Sequence, residues 1–271
     1  VNDYIWLTDL HFNFIDNNEF IAFAERVRDA RSSGVIITGD IATSNVLVYY
    51  ISALEKIIEK PIYYVLGNHD FWGSSVEDVH KAMRELDGMS QYARYLPNTP
   101  YVQLSSTTSL VGHDGWYDVL NGNVNSDMTL NDWTSIGEYT VKRRGMFPDR
   151  STIQEVSRTL AAQAAAHVVN GIKACARYSK EVIVATHVPP FPEAHVYNGS
   201  QGDAEAMPFF TSRTMGNVLL EASRTYPRIA FRVLCGHTHG AWSGNITKNL
   251  RVDVGGAEYG APAFAGIVGV K

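Results

Sequence analysis

The chain has 271 residues, 45% of them hydrophobic and 19% charged, the balance of an ordinary globular protein and not of a disordered one. Its formal charge of -5 and pI near 6.0 give no broadly basic surface, so nonspecific binding along a nucleic-acid backbone is disfavoured. Two cysteines, Cys175 and Cys235, are too few for a disulfide framework or a thiolate zinc site and read as buried thiols; with no signal-peptide pattern in VNDYIWLTDL and no run of about 18 apolar residues, a cytoplasmic location away from membranes is expected.

Along the chain, short β-branched or aromatic runs alternate with longer amphipathic segments, the pattern of β-α units. YIWLT (4–8) is followed by a helix opening near Asn17 and Asn18, then VIITG (35–39), a helix over about 45–59, IYYVLG (62–67) and a helix from Ser75 to about Leu86. YVQLSS and TSLVGH lie close enough together to form a hairpin. Residues 114–150 have no clean period and are rich in Gly, Asn, Asp and Trp, so they are expected to form a functional loop or lid. A long helix from Thr152 to Tyr178, the buried-strand pattern EVIVATH, a helix near 212–224, FRVLCGH and short strands near 242–247, 250–254 and 264–270 complete the chain. No repeat or linker divides it, so 1–271 is expected to be a single domain.

The informative feature is positional. Five separate strand-like runs end in metal-ligand residue types: Asp9 and His11, Asp40, Asn68-His69-Asp70, His187, and His237 with His239. Carboxyl ends of parallel strands share one edge of a sheet, which would gather three carboxylates, an amide and five imidazoles in a small volume. Such a cluster would suffer heavy desolvation and repulsion without cations, and its donor types suit Mn, Fe, Zn or Co. The one-residue spacing in DLH and HTH lets both members reach one site if the backbone is extended.

DLH (9–11), GD (39–40), GNHD (67–70), His187 and GHTH (236–239), in that order, resemble the calcineurin-like metallophosphoesterase superfamily. The resemblance implies an α/β fold, a four-layer α/β/β/α sandwich of two mixed β-sheets flanked by helices. It implies two divalent or Fe/Zn-type ions, with manganese expected first and Fe, Zn, Co or Ni as alternatives. Asp9, His11 and His239 would hold one ion, Asn68, His187 and His237 the other, and Asp40 would bridge them. His69 matches the family's catalytic histidine and Asp70 its orienting partner. Many members carry Gly shortly after DxH, where this chain has DLHFNF, so the first loop is where it departs.

Two ions about 3.5–4 Å apart clamp an in-line displacement at phosphorus and make hydroxide available near neutral pH. The expected function is hydrolysis of a small phosphate ester, a bridging hydroxide attacking phosphorus while His69 assists the leaving oxygen. The alternatives are a phosphodiesterase or nuclease acting on nucleotides or nucleic acid, and a non-catalytic scaffold. Trp116 or Tyr117 could stack on a base or sugar, with core packing equally compatible. Lys142, Arg143 and Arg144 could grip a second phosphate or form a solvated charge run. His195 could bond a substrate phosphate or face solvent, and Phe71 and Trp72 are expected to wall the site.

Overall fold

The computed structural model describes residues 2–140 and 147–271. Its strands are β1 (Asn2–Leu7), β2 (Gly34–Thr38), β3 (Ile62–Val65), β4 (Ala93–Tyr95), β5 (Val102–Gln103), β6 (Thr108–Gly112), β7 (Glu181–Ala185), β8 (Val196–Tyr197), β9 (Ser200–Gln201), β10 (Ala230–Cys235), β11 (Trp242–Thr247), β12 (Leu250–Val254) and β13 (Gly266–Val270). The helices are α1 (Asn17–Asp29), α2 (Ser44–Ile58), α3 (Val76–Met89), α4 (Asp132–Ser135), α5 (Gly137–Thr140), α6 (Arg150–Cys175), α7 (Met207–Phe210) and α8 (Arg213–Thr225).

One sheet has the order β13-β1-β2-β3-β4, parallel except where β13 runs against β1; the other has the order β11-β12-β10-β7-β6-β5, parallel through its centre and antiparallel at both edges. Both are mixed, as the family resemblance implied, and the expected hairpin is β5 with β6. Strand alternation sorts the side chains into three apolar layers. Ile5, Leu7, Val35, Ile37 and Tyr64 face α1, α2 and α3, while their neighbours Tyr4, Trp6, Ile36 and Val65 meet Leu110, Ile183, Ala185 and Leu234 of the other sheet. Val182, Val184, Phe231 and Val233 point the opposite way, onto Ala164, Val168 and Ile172 of α6 and Leu219 of α8. The result is the expected α/β/β/α sandwich. Cys175 and Cys235 are both buried free thiols in this last layer.

Local signals explain the helix starts. Asp16 caps α1: its carboxylate accepts from the N–H of Asn18 and Glu19 at 2.8 and 2.9 Å, and Glu19 returns a bond to the Asp16 N–H, a capping box. The Asp149 carboxylate accepts from Thr152 N at 2.9 Å and starts α6 two residues earlier than the apolar pattern suggested. Among the described residues no helix is long and apolar enough to cross a membrane.

The layer between the sheets fixes the strand ends from which the functional loops leave. Leu234, fully buried there, lies two residues before Gly236. Leu234→Ala is expected to lower unfolding free energy by about 2–5 kcal/mol, read as a reduced midpoint in urea denaturation at unchanged slope.

Candidate metal centre

The parallel strands β1, β2, β3, β7 and β10 come from both sheets, yet their carboxyl ends lie together. Asp9, Asp40, His187 and His237 each stand two residues beyond a strand end, and Asn68 three. Main-chain bonds carry the alignment past the strands: Asp9 N donates to Gly39 O at 3.0 Å, His11 N to Asp40 O at 2.9 Å, and Gly236 N to His187 O at 2.9 Å.

The backbone that aims these side chains is left-handed, not extended. Asp9, His11, Asp40, His237 and His239 have φ of 49°, 44°, 53°, 71° and 57°, a conformation costing an L-residue roughly 1–2 kcal/mol though tolerated best by Asn, Asp and His. The same-side rule for an extended DxH is therefore not what brings Asp9 and His11, or His237 and His239, to one place. Each residue is turned inward individually. Gly39 shares the turn with φ of 93°, which glycine adopts freely. At Gly67 the constraint is space: a Cβ there would collide with Asp40 Oδ1 and stand 2.6 Å from His187 Nε2.

Asp9, His11, Asp40 and His239 offer ligand atoms that all lie within 4.8 Å of one another. His11 Nε2 and His239 Nε2 are 3.2 Å apart, Asp9 Oδ1 is 3.5 Å from His239 Nε2, and Asp40 Oδ2 is 3.7 Å from His11 Nε2. Burial holds His11 neutral, with its pKa lowered to about 4 despite Asp40, so its ring nitrogen lone pair is free for a cation. Two carboxylates and two imidazoles converging on one point form a donor set suited to a borderline divalent ion.

On the other side of Asp40 a second group is arranged by its outer hydrogen bonds. His187 Nδ1 donates to Thr38 O at 2.8 Å, which leaves Nε2 buried without a hydrogen-bond partner, 3.4 Å from Asp40 Oδ1. His237 Nε2 donates to Phe209 O at 3.0 Å, leaving Nδ1 as its lone-pair nitrogen, and burial lowers its pKa to about 3. Asn68 Nδ2 donates to Asp132 Oδ1 at 2.9 Å, and its Oδ1 is buried without a partner. Orientation of a ligand by a bond from its far side is how metal sites fix their ligands. For His187, burial opposes charge, but Asp40 and Asp9 outweigh it and raise the pKa to about 10. A proton on that ring answers the same negative field that a cation would. The unpartnered Asn68 Oδ1 and His187 Nε2 fit a second ion.

His69 lies beside both groups. Its ring stacks on Trp72 with centroids 3.6 Å apart, Nε2 is 3.9 Å from Asp40 Oδ2, and Nδ1 has no hydrogen-bond partner. Asp70 makes no hydrogen bond to that ring. Its Oδ1 accepts from Ile41 N and Ala42 N at 2.9 and 2.8 Å and its Oδ2 from Gly67 N at 2.8 Å. The expectation that Asp70 orients the imidazole is corrected: with its oxygens committed to the backbone, it ties the GD loop to the GNHD loop. It places His69 through the main chain.

Trp116 and Tyr117 are also corrected as stacking candidates. They are 3% and 0% exposed, and their polar atoms are used internally, Trp116 Nε1 on Tyr139 OH at 2.8 Å and Tyr117 OH on Asp132 Oδ2 at 3.1 Å. Phe71 is likewise in the core, whereas Trp72 lines a cavity over the centre. His195 is buried, stacks on Phe210 at 5.4 Å, and lines a cavity that also reaches His237 and His239. Lys142, Arg143 and Arg144 lie outside the described residues.

Two contributors carry no motif. Asp132, 1% exposed, also accepts from Trp72 Nε1 at 2.7 Å, so one carboxylate orders both Asn68 and the ring against which His69 stacks. Tyr259, in the loop after β12, lies 4.4 Å from the His11 ring and 4.8 Å from the His239 ring. Asp132→Ala is expected to weaken one of two metal-binding steps by about 10–100-fold while sparing the other, measured by calorimetric titration of the metal-free protein.

The calcineurin-like phosphoesterase profile matches residues 4–241. No curated protein matches. Among solved structures, a dimetal phosphatase from Danio rerio superposes with a TM-score of 0.57 at 12% identity, over 94% of this chain and 87% of that one. Phosphopantetheinyl hydrolase from Mycobacterium tuberculosis superposes with a TM-score of 0.62 at 14% identity, over 95% and 90%. These likenesses establish a shared fold. With the profile covering every residue of the centre except those of the Tyr259 loop, the chain belongs to the calcineurin-like phosphoesterase family.

Proposed function

We propose that the protein hydrolyses a phosphate ester at a two-ion centre, one ion held by Asp9, His11 and His239, the other by Asn68, His187 and His237, with Asp40 shared. The observation that carries this is the division of Asp40: Oδ1 is 3.4 Å from His187 Nε2 and Oδ2 is 3.7 Å from His11 Nε2. A carboxylate whose two oxygens face two separate imidazole groups is placed to serve both.

When bound, such ions neutralise phosphoryl oxygens and supply hydroxide near neutral pH. The donor set of carboxylates, imidazoles and one amide accommodates Mn, with Fe, Zn, Co or Ni as alternatives. The protein's own part is positional. Asp9 also accepts from His237 N at 2.9 Å, so the two groups are locked to each other through the first and last motifs. His69, outside both ligand sets and braced by Trp72, is free to bond the ester oxygen that departs. General acid assistance of this kind contributes typically about 10²–10⁴-fold.

Two variants test the reading with p-nitrophenyl phosphate and bis-p-nitrophenyl phosphate as probes. His69→Ala should keep its metal content by elemental analysis and lose about 10²–10⁴-fold in turnover; undiminished turnover would overturn the role. Asp40→Ala should lose both metal content and activity, and retention of two ions would overturn the shared carboxylate.

A further inference from the structure

We propose that the substrate is a phosphodiester with two unequal arms, and that the smaller alcohol is the one released while the larger, non-anionic arm stays on the phosphoryl group. This rests on the hydrolytic reading above.

Two cavities meet over the centre, and Phe210, His237, His239 and Tyr259 line both. The smaller, about 240 Å³, continues past Asn68, His69, Trp72, Leu130 and Asn131. The larger, about 590 Å³, continues past Met128, His195, Tyr197, Asp203 and Glu258. Drug-sized ligands occupy about 300–1,000 Å³, so the second space takes a substantial group and the first only a small one. A phosphoryl group at the junction has room for a substituent on each side.

Charge favours the same class. A monoester carries close to two negative charges at neutral pH and a diester one. The larger cavity has the exposed carboxylates of Asp203 and Glu258. An arm bearing further phosphates would meet repulsion there. An uncharged or cationic arm would lie against the rings of Tyr259, Tyr197 and Phe210, the last of which stacks between His195 and His237.

The direction of cleavage follows from His69, which lines the smaller cavity and not the larger. The oxygen it assists must belong to the arm in that space. The oxygen of water ends on phosphorus, and the bond from phosphorus to the smaller alcohol's oxygen breaks. His69 gives a proton to that oxygen as the bond breaks and regains one from solvent, the net proton being the one released by the water consumed. The products are the small alcohol and the phosphomonoester of the larger arm, with no change of oxidation state.

Methyl 2-(1-naphthyl)ethyl phosphate tests this, because both of its arms are alkyl and neither is an activated leaving group. With the metal-loaded protein, ³¹P NMR should show naphthylethyl phosphate as the phosphorus-bearing product and ¹H NMR should show methanol. Methyl phosphate as the main product, or an even mixture, overturns the proposal. Cleavage of naphthylethyl phosphate with the diester untouched also overturns it while leaving the phosphoesterase reading intact. Failure to hydrolyse any ester, p-nitrophenyl phosphate included, sinks both. A binding measurement separates the arms without turnover: Tyr197→Ala, at a residue that lines the larger cavity and not the smaller, should weaken naphthylethyl phosphate by about tenfold in calorimetry and leave methyl phosphate unchanged. Equal affinities of wild type and variant for naphthylethyl phosphate would overturn the placement of the larger arm in this cavity.

Discussion

A carboxylate taken almost wholly out of water needs compensation, and the surroundings of Asp40 are organised to give it. At 2% exposure it accepts the His69 N–H at 2.9 Å, and imidazoles from three other loops approach it. Burial raises a carboxyl pKa, yet His187, His69 and His11 together hold that of Asp40 well below the ordinary range. Remove that compensation and the loops have nothing to converge on. The sandwich is the means by which loops from distant parts of the chain are presented to this one group.

The central strands of both sheets run the same way, so their carboxyl ends form one rim, and the residues just beyond them are bent inward. The bending is costly: five residues of the centre, Asp9, His11, Asp40, His237 and His239, sit in left-handed backbone. Such conformations persist where the surroundings determine them more strongly than local preference does. Here the surroundings are the main-chain bonds between the first two loops, the pinning of the second loop to the third by Asp70, and the absence of a Cβ at Gly67.

Much of this was legible in the sequence because the signal is local. Apolar runs that stop abruptly at Asp9, Asp40, Asn68, His187 and His237 announce both the strands and their functional ends. What was hidden is what depends on distant partners. The sequence gives Asp70 next to His69, but only the fold shows that its oxygens go to Ile41, Ala42 and Gly67. Trp116 and Tyr117 stand in a segment with the composition of a loop, and composition does not say which way a ring points. Asp132 lies 64 residues from Asn68 in sequence, and a lone Asp among Asn, Gly and Ser carries no mark of its task. The left-handed turns at Asp9 and His239 likewise have no local signature beyond residue types that tolerate them.

The placement of Asp132 ties together two properties that are usually treated separately. Its neighbours Leu130 and Asn131 shape the smaller cavity, while its own carboxylate holds the amide of Asn68. A change in this segment that recontours the cavity for a different alcohol also shifts the anchor of Asn68, the proposed ligand of the second ion. Divergence in what the enzyme accepts is thereby constrained by what its centre retains, and relatives that have altered this segment are expected to differ in preferred ion as well as in preferred ester.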